Sequence, residues 1–181
     1  LSSCTQSVIA AEVGHLQLAH DYLGEAALMD LNDLEHNVGD GVHMGSLAGA
    51  WIAVVAGLGG MRHHGEALSF APRLPPGIRR LTFRMSFQGR LIRLRITHGR
   101  ASYSLAKGAP LSFDHYGERL RLSLRTPVVR AIPKPHPPAR VTQPAGRAPA
   151  RRGKEKPRTL RHEPKAGGKR HRPASTGGTA A

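Results

Sequence analysis

The sequence is short of cysteine, of aromatic side chains, of long apolar runs and, over its latter two thirds, of acidic residues. Its single cysteine, Cys4, has no internal partner, so the fold rests on packing without cross-links and a reducing, cytoplasmic compartment is expected. Aromatic residues make up only 4% of the chain, which leaves no row of Phe or Tyr on which bases could stack. No run of about 18 apolar residues is present to cross a bilayer as a helix. The start has neither the basic opening nor the apolar core of a signal peptide. The chain opens on Leu1, inside a helical pattern, as a fragment or truncated reading frame would.

What is present divides into three unlike parts. Residues 1–66 hold one Lys or Arg against eight Asp or Glu, a formal charge of −7. Residues 67–132 and 133–181 each hold thirteen against two, or +11 apiece, so the net +15 conceals an acidic first part. After Ile132 the sequence runs into Pro, Arg, Lys, Gly and Ala and cannot bury enough apolar surface to offset chain entropy. This tail, 133–181, is expected to be disordered and to attract polyanions weakly and in a salt-sensitive way.

Within the acidic part the apolar spacing is helical. Val8, Ile9 and Val13 set a first helix, ended by Gly14-His15; Leu16, Ala19, Leu23, Ala26, Ala27 and Leu31 set a second, running from about residue 16 to 31. A third is expected from Gly41 to about Ala56, with Met44, Leu47, Ala48, Trp51, Val55 and Leu58 as its buried stripe and Gly45, Gly49 and Ala53 as a small-residue side. Trp51 is read as core packing, and His63-His64 as part of a polar, solvent-facing turn. From Ala67 the period falls to two: Leu81, Phe83, Met85 and Phe87, then Ile92, Leu94 and Ile96, then Ala101, Tyr103 and Leu105, and later Leu120, Leu122 and Leu124 alternate with polar residues. Gly-bearing turns at Gln88-Gly89, His98-Gly99, Lys107-Gly108 and Tyr116-Gly117 separate them, the pattern of a small antiparallel β-sandwich. Its arginines could bind nucleic acid, but they read better as the solvated, edge-protecting side of a sheet. The fold class is therefore α+β.

Chemistry is best sought where the polar loop 32–40 meets the third helix. Asp40 has the character of an N-cap, Gly41 lets a ligand approach the backbone, and first-turn amides with the His43 imidazole suit a bound phosphate or carboxylate. A capped core helix with a polar mouth accounts for the same residues. Asp33, Glu35, His36 and Asp40 have no established metal-ligand spacing and read as a solvated loop, with no metal or organic cofactor expected.

Ile9-Ala10-Ala11-Glu12-Val13-Gly14, Asp40-Gly41-Val42-His43, Ser46-Leu47-Ala48-Gly49-Ala50-Trp51, Gly57-Leu58-Gly59-Gly60-Met61-Arg62 and Leu68-Ser69-Phe70-Ala71-Pro72-Arg73-Leu74-Pro75, taken together, resemble the C-terminal part of glycoside hydrolase family 65 over about the first 130 residues. That family holds maltose, trehalose, kojibiose and nigerose phosphorylases and some hydrolases. The resemblance implies that residues 1–66 are the last helices of an (α/α)6 barrel, 67–132 a C-terminal β-sandwich and 133–181 an appended tail. It implies inverting phosphorolysis of an α-linked glucose disaccharide, with inorganic phosphate as co-substrate, and it leaves room for a homodimer of the full-length protein. His43, Gly41, Ser46 and Ser2 would then hold phosphate.

The departures from the family pattern also carry weight. The serines that precede the position of Leu1 are missing, and so is the general-acid glutamate of an earlier barrel helix. Glu12, Glu25 and Glu35 lie in the wrong motif to replace that acid, so the chain is expected to carry half a site and to be inactive alone. Two other readings stay open. One is a hydrolase of the same family using water; the other is a noncatalytic polyanion-binding protein acting through its tail.

Overall fold

The computed structural model describes residues 2–134 together with 143, 148 and 149, so the tail expected to be disordered lies almost wholly outside the described residues. Helix α1 spans Ser2–Glu12, α2 Leu16–Leu28 and α3 Met44–Ile52, and α3 runs on as a π-helix over Ala53–Leu58. Gly14, at φ 89°, folds α1 back on α2, and the Ser7 hydroxyl donates to the Ala19 carbonyl at 2.7 Å across the hairpin. Cys4 of α1 faces Gly49 of α3, and Val8 faces Gly57 further along, so these two helices run in the same direction.

This crossing reverses one expectation. Ser46, Gly49 and Ala53 form the covered side, while Met44, Leu47 and Trp51 of the expected stripe are 68%, 50% and 52% exposed; its last two members, Val55 and Leu58 in the π-helix, are buried as expected. The cause is the closeness of the backbones. A Cβ added at Gly49 would lie 2.1 Å from the Cys4 sulfur, so only the small-residue side of α3 can meet α1. Trp51 is accordingly no core residue; it rests edge-on against Phe83, with ring centroids 6.0 Å apart at 83°. Leu31, 80% exposed, falls outside α2, which stops at Leu28.

Eight strands follow: β1 Met61–His64, β2 Ala67–Phe70, β3 Arg80–Phe87, β4 Arg90–Thr97, β5 Arg100–Lys107, β6 Leu111–His115, β7 Glu118–Leu122 and β8 Val128–Ala131. They form two four-stranded sheets, in the orders β1-β2-β6-β7 and β3-β4-β5-β8. Both residues of Gln88-Gly89 (φ 47° and 74°) and of Tyr116-Gly117 (φ 48° and 84°) are left-handed, as type I′ turns between right-twisted strands require. The arrangement is not wholly antiparallel. After three strands in the other sheet the chain returns as β6 and lies parallel to β2, with Phe70 opposite His115. His63 and His64 lie in β1, not in a turn. The strands β1, β6 and β8 have at most five residues, too few for an alternation to stand out.

Phe70, Tyr103 and Phe113 pack as an aromatic cluster at the sandwich centre, each at most 1% exposed. Tyr103 and the buried His115 satisfy one another there. The His115 Nε2–H donates to the Ala131 carbonyl at 2.9 Å, which leaves Nδ1 to accept the Tyr103 hydroxyl at 2.8 Å. Burial, with a smaller contribution from Tyr116, raises the Tyr103 pKa far above the ordinary phenol value, so the hydroxyl stays a donor. Tyr103→Phe strands a buried imidazole nitrogen without creating a large void. It is expected to cost about 1–3 kcal/mol in urea unfolding, with the far-ultraviolet spectrum unchanged.

Candidate functional site

Because α1 and α3 run together and α2 runs against them, one end of the helical layer gathers the start of α1, the residues after α2 and the start of α3. Ser2, Asp30 and His43 all belong to this end. The loop between α2 and α3 crosses it, shaped by left-handed Asp33 (φ 46°) and His36 (φ 56°) and closed by a bond from the Val38 amide to the Asp33 carboxylate at 3.2 Å. A short 3-10 turn, Val38–Asp40, leads to Gly41, whose φ of 132° a side chain would resist.

Asp40 does not cap the helix, and α3 does not begin at Gly41. His43 is the residue before the first helical turn, and its own amide is satisfied from outside by Asp30. One Asp30 oxygen accepts the His43 amide at 2.9 Å; the other accepts the imidazole Nδ1–H at 2.5 Å. A two-point clamp on backbone and ring together fixes where the imidazole points. The ring N–H of His43 is the main cause that holds the Asp30 carboxyl below its usual range, against partial burial, with the amide assisting. Since a carboxylate only accepts, Nδ1 carries the proton and Nε2 is turned away from Asp30. The His43 side chain is 32% exposed and Nε2 has no protein partner among the described residues.

The amides at this mouth are only partly open. The Met44 N–H is taken by the Val42 carbonyl, and the Ser46 and Leu47 N–H groups by the His43 carbonyl. Those of Val42 and Gly45 have no backbone partner among the described residues. These two amides can meet an oxyanion, favoured by the positive end of the α3 dipole, and Nε2 joins them as a donor only when it also carries a proton. Of the four expected phosphate ligands, the structure places Gly41 and His43 at the mouth and Ser2, exposed, at the same end of the layer. Ser46 is 2% exposed on the side packed against α1, so its hydroxyl is not presented at the mouth. Asp30 is the residue that sequence reasoning missed. It lies thirteen residues from its partner, across a loop whose path no spacing rule predicts.

Among the described residues no group of three or more His, Cys, Asp or Glu is placed to hold a metal ion, and no helix is long and apolar enough to cross a membrane. A half-open cavity of about 120 Å³ lies where the helices meet the sandwich and is lined in part by Glu12, Arg62, Arg73 and Tyr116. Its arginines are spent on structure. Arg62 donates to the Ala56 carbonyl and pairs with Glu12, and Arg73 donates to the Ala11 carbonyl at the end of α1.

Residues 1–52 match the model of the glycosyl hydrolase family 65 central catalytic domain, and residues 61–122 that of its C-terminal domain. The chain belongs to glycosyl hydrolase family 65. The two family 65 matches meet at the π-helical segment, which carries α3 into the sandwich. An uncharacterized glycosyl hydrolase of Mycobacterium leprae is 48% identical over 158 residues, covering 84% of this chain and 20% of that protein. An alpha,alpha-trehalose phosphorylase of Thermoanaerobacter brockii is 38% identical over 122 residues, covering 67% of this chain and 16% of that one. Among solved structures, a provisionally named kojibiose phosphorylase from the human microbiome superposes with a TM-score of 0.66 at 26% identity, over 72% of this chain and 17% of its own. The chain thus spans about a fifth of the length of the curated family 65 relatives it matches.

Proposed function

We propose that the chain supplies the phosphate side of a site at which a family 65 enzyme cleaves an α-linked glucose disaccharide by inverting phosphorolysis. The observation that carries this reading is the clamp of Asp30 on His43, which leaves one imidazole nitrogen at an open helix mouth. In such a reaction a carboxylic acid protonates the leaving sugar oxygen while phosphate, held on the opposite face, attacks the anomeric carbon. Phosphate is already a nucleophile, so orienting it replaces the base that a hydrolase needs. His43 Nε2 donates to a phosphate oxyanion when the ring is doubly protonated, and the Asp30 carboxylate balances the charge. Gly41 keeps the approach free of a side chain, and Ser2 contributes its hydroxyl from the start of α1.

The carboxylic acid and the remaining wall of the pocket come, on this reading, from further helices of an (α/α)6 barrel. The uncovered apolar side of α3, with Met44, Leu47 and Ile52, supports that placement, since such a side is ordinarily packed. The experiment joins residues 1–134 in frame to the remaining four fifths of the Mycobacterium leprae relative and supplies α-linked glucose disaccharides. Sugar 1-phosphate formation that rises with phosphate concentration is expected. Release of free glucose at a rate indifferent to phosphate would replace phosphorolysis by hydrolysis.

A further inference from the structure

The outer side of the β3-β4-β5-β8 sheet carries charge of one sign with no counter-charge among the described residues. The strand registers place Arg84 directly opposite Arg93, Thr82 opposite Arg95, and Arg95 and Arg93 opposite Ser102 and Ser104 of β5. Arg80 and Arg100 extend the same side, and all five arginines are exposed. Like charges facing each other across a strand pair oppose sheet formation. The acidic residues of the sandwich do not relieve them: Asp114 pairs with Arg119 and Glu118 with Arg130. None of the five arginines has an ion-pair partner among the described residues. Residues 67–132 hold twelve arginines and one lysine, so the charge sits almost entirely on planar forks suited to two-point contact with phosphate.

We propose that this sheet side is a docking surface for the phosphate backbone of duplex nucleic acid, bound without sequence preference. Charge complementarity selects a polyanion, and the rest of the surface narrows the choice. A stable protein interface needs a buried aromatic or aliphatic anchor at its centre, and here the centre is Arg, Ser and Thr. Single strands are held by stacking on aromatic rings, and none lies on this side. Backbone contacts from arginine forks with hydroxyls between them need neither. The basic residues after 132 follow β8 in the sequence and add charge to the chain, but their contribution is separable from that of the sheet.

The test is the affinity of the full 181-residue chain for a fluorescent duplex as salt is raised, compared with the triple variant Arg84→Ser, Arg93→Ser, Arg95→Ser. Losing three phosphate contacts is expected to flatten the slope of log affinity against log salt by about 2 to 3 and to weaken binding at least about tenfold at low salt. The variant is expected to unfold at the parent's temperature or above, because it removes a repulsion. An unchanged slope would assign all duplex binding to other parts of the chain and overturn the proposal. So would a variant that keeps its duplex affinity while losing affinity for polyglutamate. Should the triple variant lose its cooperative unfolding, Arg93→Ser alone carries the test, with an expected change of about one in slope.

Discussion

Alanine at Gly60 is expected to unfold much of the chain at temperatures where alanine at Gly65 leaves it folded. Both glycines have a φ of 60°, so each substitution carries the same left-handed backbone penalty, on the order of 1–2 kcal/mol. They differ in surroundings. A Cβ at Gly65 meets nothing within 4 Å, whereas one at Gly60 would lie 2.1 Å from the Ala71 carbonyl oxygen and 2.4 Å from its carbon. These are backbone atoms and cannot rotate away. Relief requires separating the end of the π-helix from the stretch after β2, which breaks the bond from the Ala71 amide to the Gly60 carbonyl and strains that from Arg73 to Leu58. The joint between helices and sandwich is lost with them. The added cost at Gly60 is on the order of 3 kcal/mol, a large fraction of the stability of a domain this size. Urea midpoints of the two variants measure the difference directly; equal midpoints would mean that this joint is slack.

The elements that could be read in the sequence are those in which period and composition agree. Strands β3, β4 and β5 alternate over eight residues and end in glycine turns, so their pairing followed from pattern alone. Helix α2 was legible for the same reason, whereas α1 was legible as a helix only, since Ile9 and Val13 of its expected pattern are exposed and Ser3, Cys4, Ser7 and Ala10 are buried. Helix α3 was legible as a helix but not in its orientation, because it is apolar on one side and small on the other. Periodicity finds an apolar side; it does not say which side a neighbour covers. Only the approach of Cys4 to Gly49 settles that. The parallel pairing of β2 with β6 is a property of topology, set by three intervening strands, and leaves no local mark in either segment.

The candidate site was legible in part and for a different reason. His43 and Gly41 stand out because a polar turn meets an apolar helix there. The expected cap was Asp40 on sequence rules, yet an acid from the end of α2 took over the function, and from the other side of the loop. A carboxylate delivered across a loop can do what a local cap cannot, since it holds the ring as well as the amide. Ser46, one turn further on, looked equivalent in sequence and lies on the packed side.

Removing that imidazole is the second change with a large expected effect. In the joined enzyme His43→Ala is expected to lower kcat/KM for phosphate by about 10²- to 10³-fold, the loss usual for a positioned donor to a reacting oxyanion. The KM for disaccharide should stay near that of the parent, because the sugar is held elsewhere. Asp30→Asn keeps a hydrogen-bond acceptor but loses the charge, and a smaller loss confined to phosphate is expected. The pH dependence has a definite sign. The Asp30 pKa is lowered by its bonds from His43, so the clamp is in place above the ordinary carboxylate value and fails as pH falls through the lowered one. The contribution of Asp30 to phosphate affinity should therefore be constant near neutrality and be lost only in acid.

The phosphate dependence of turnover in the joined enzyme, with histidine and then alanine at position 43, tests the central claim most directly. A steep loss in kcat/KM for phosphate, with disaccharide KM near the parent value, is the predicted result. Equal phosphate dependence in the two proteins would contradict the claim and return His43 to the capping of a packed helix.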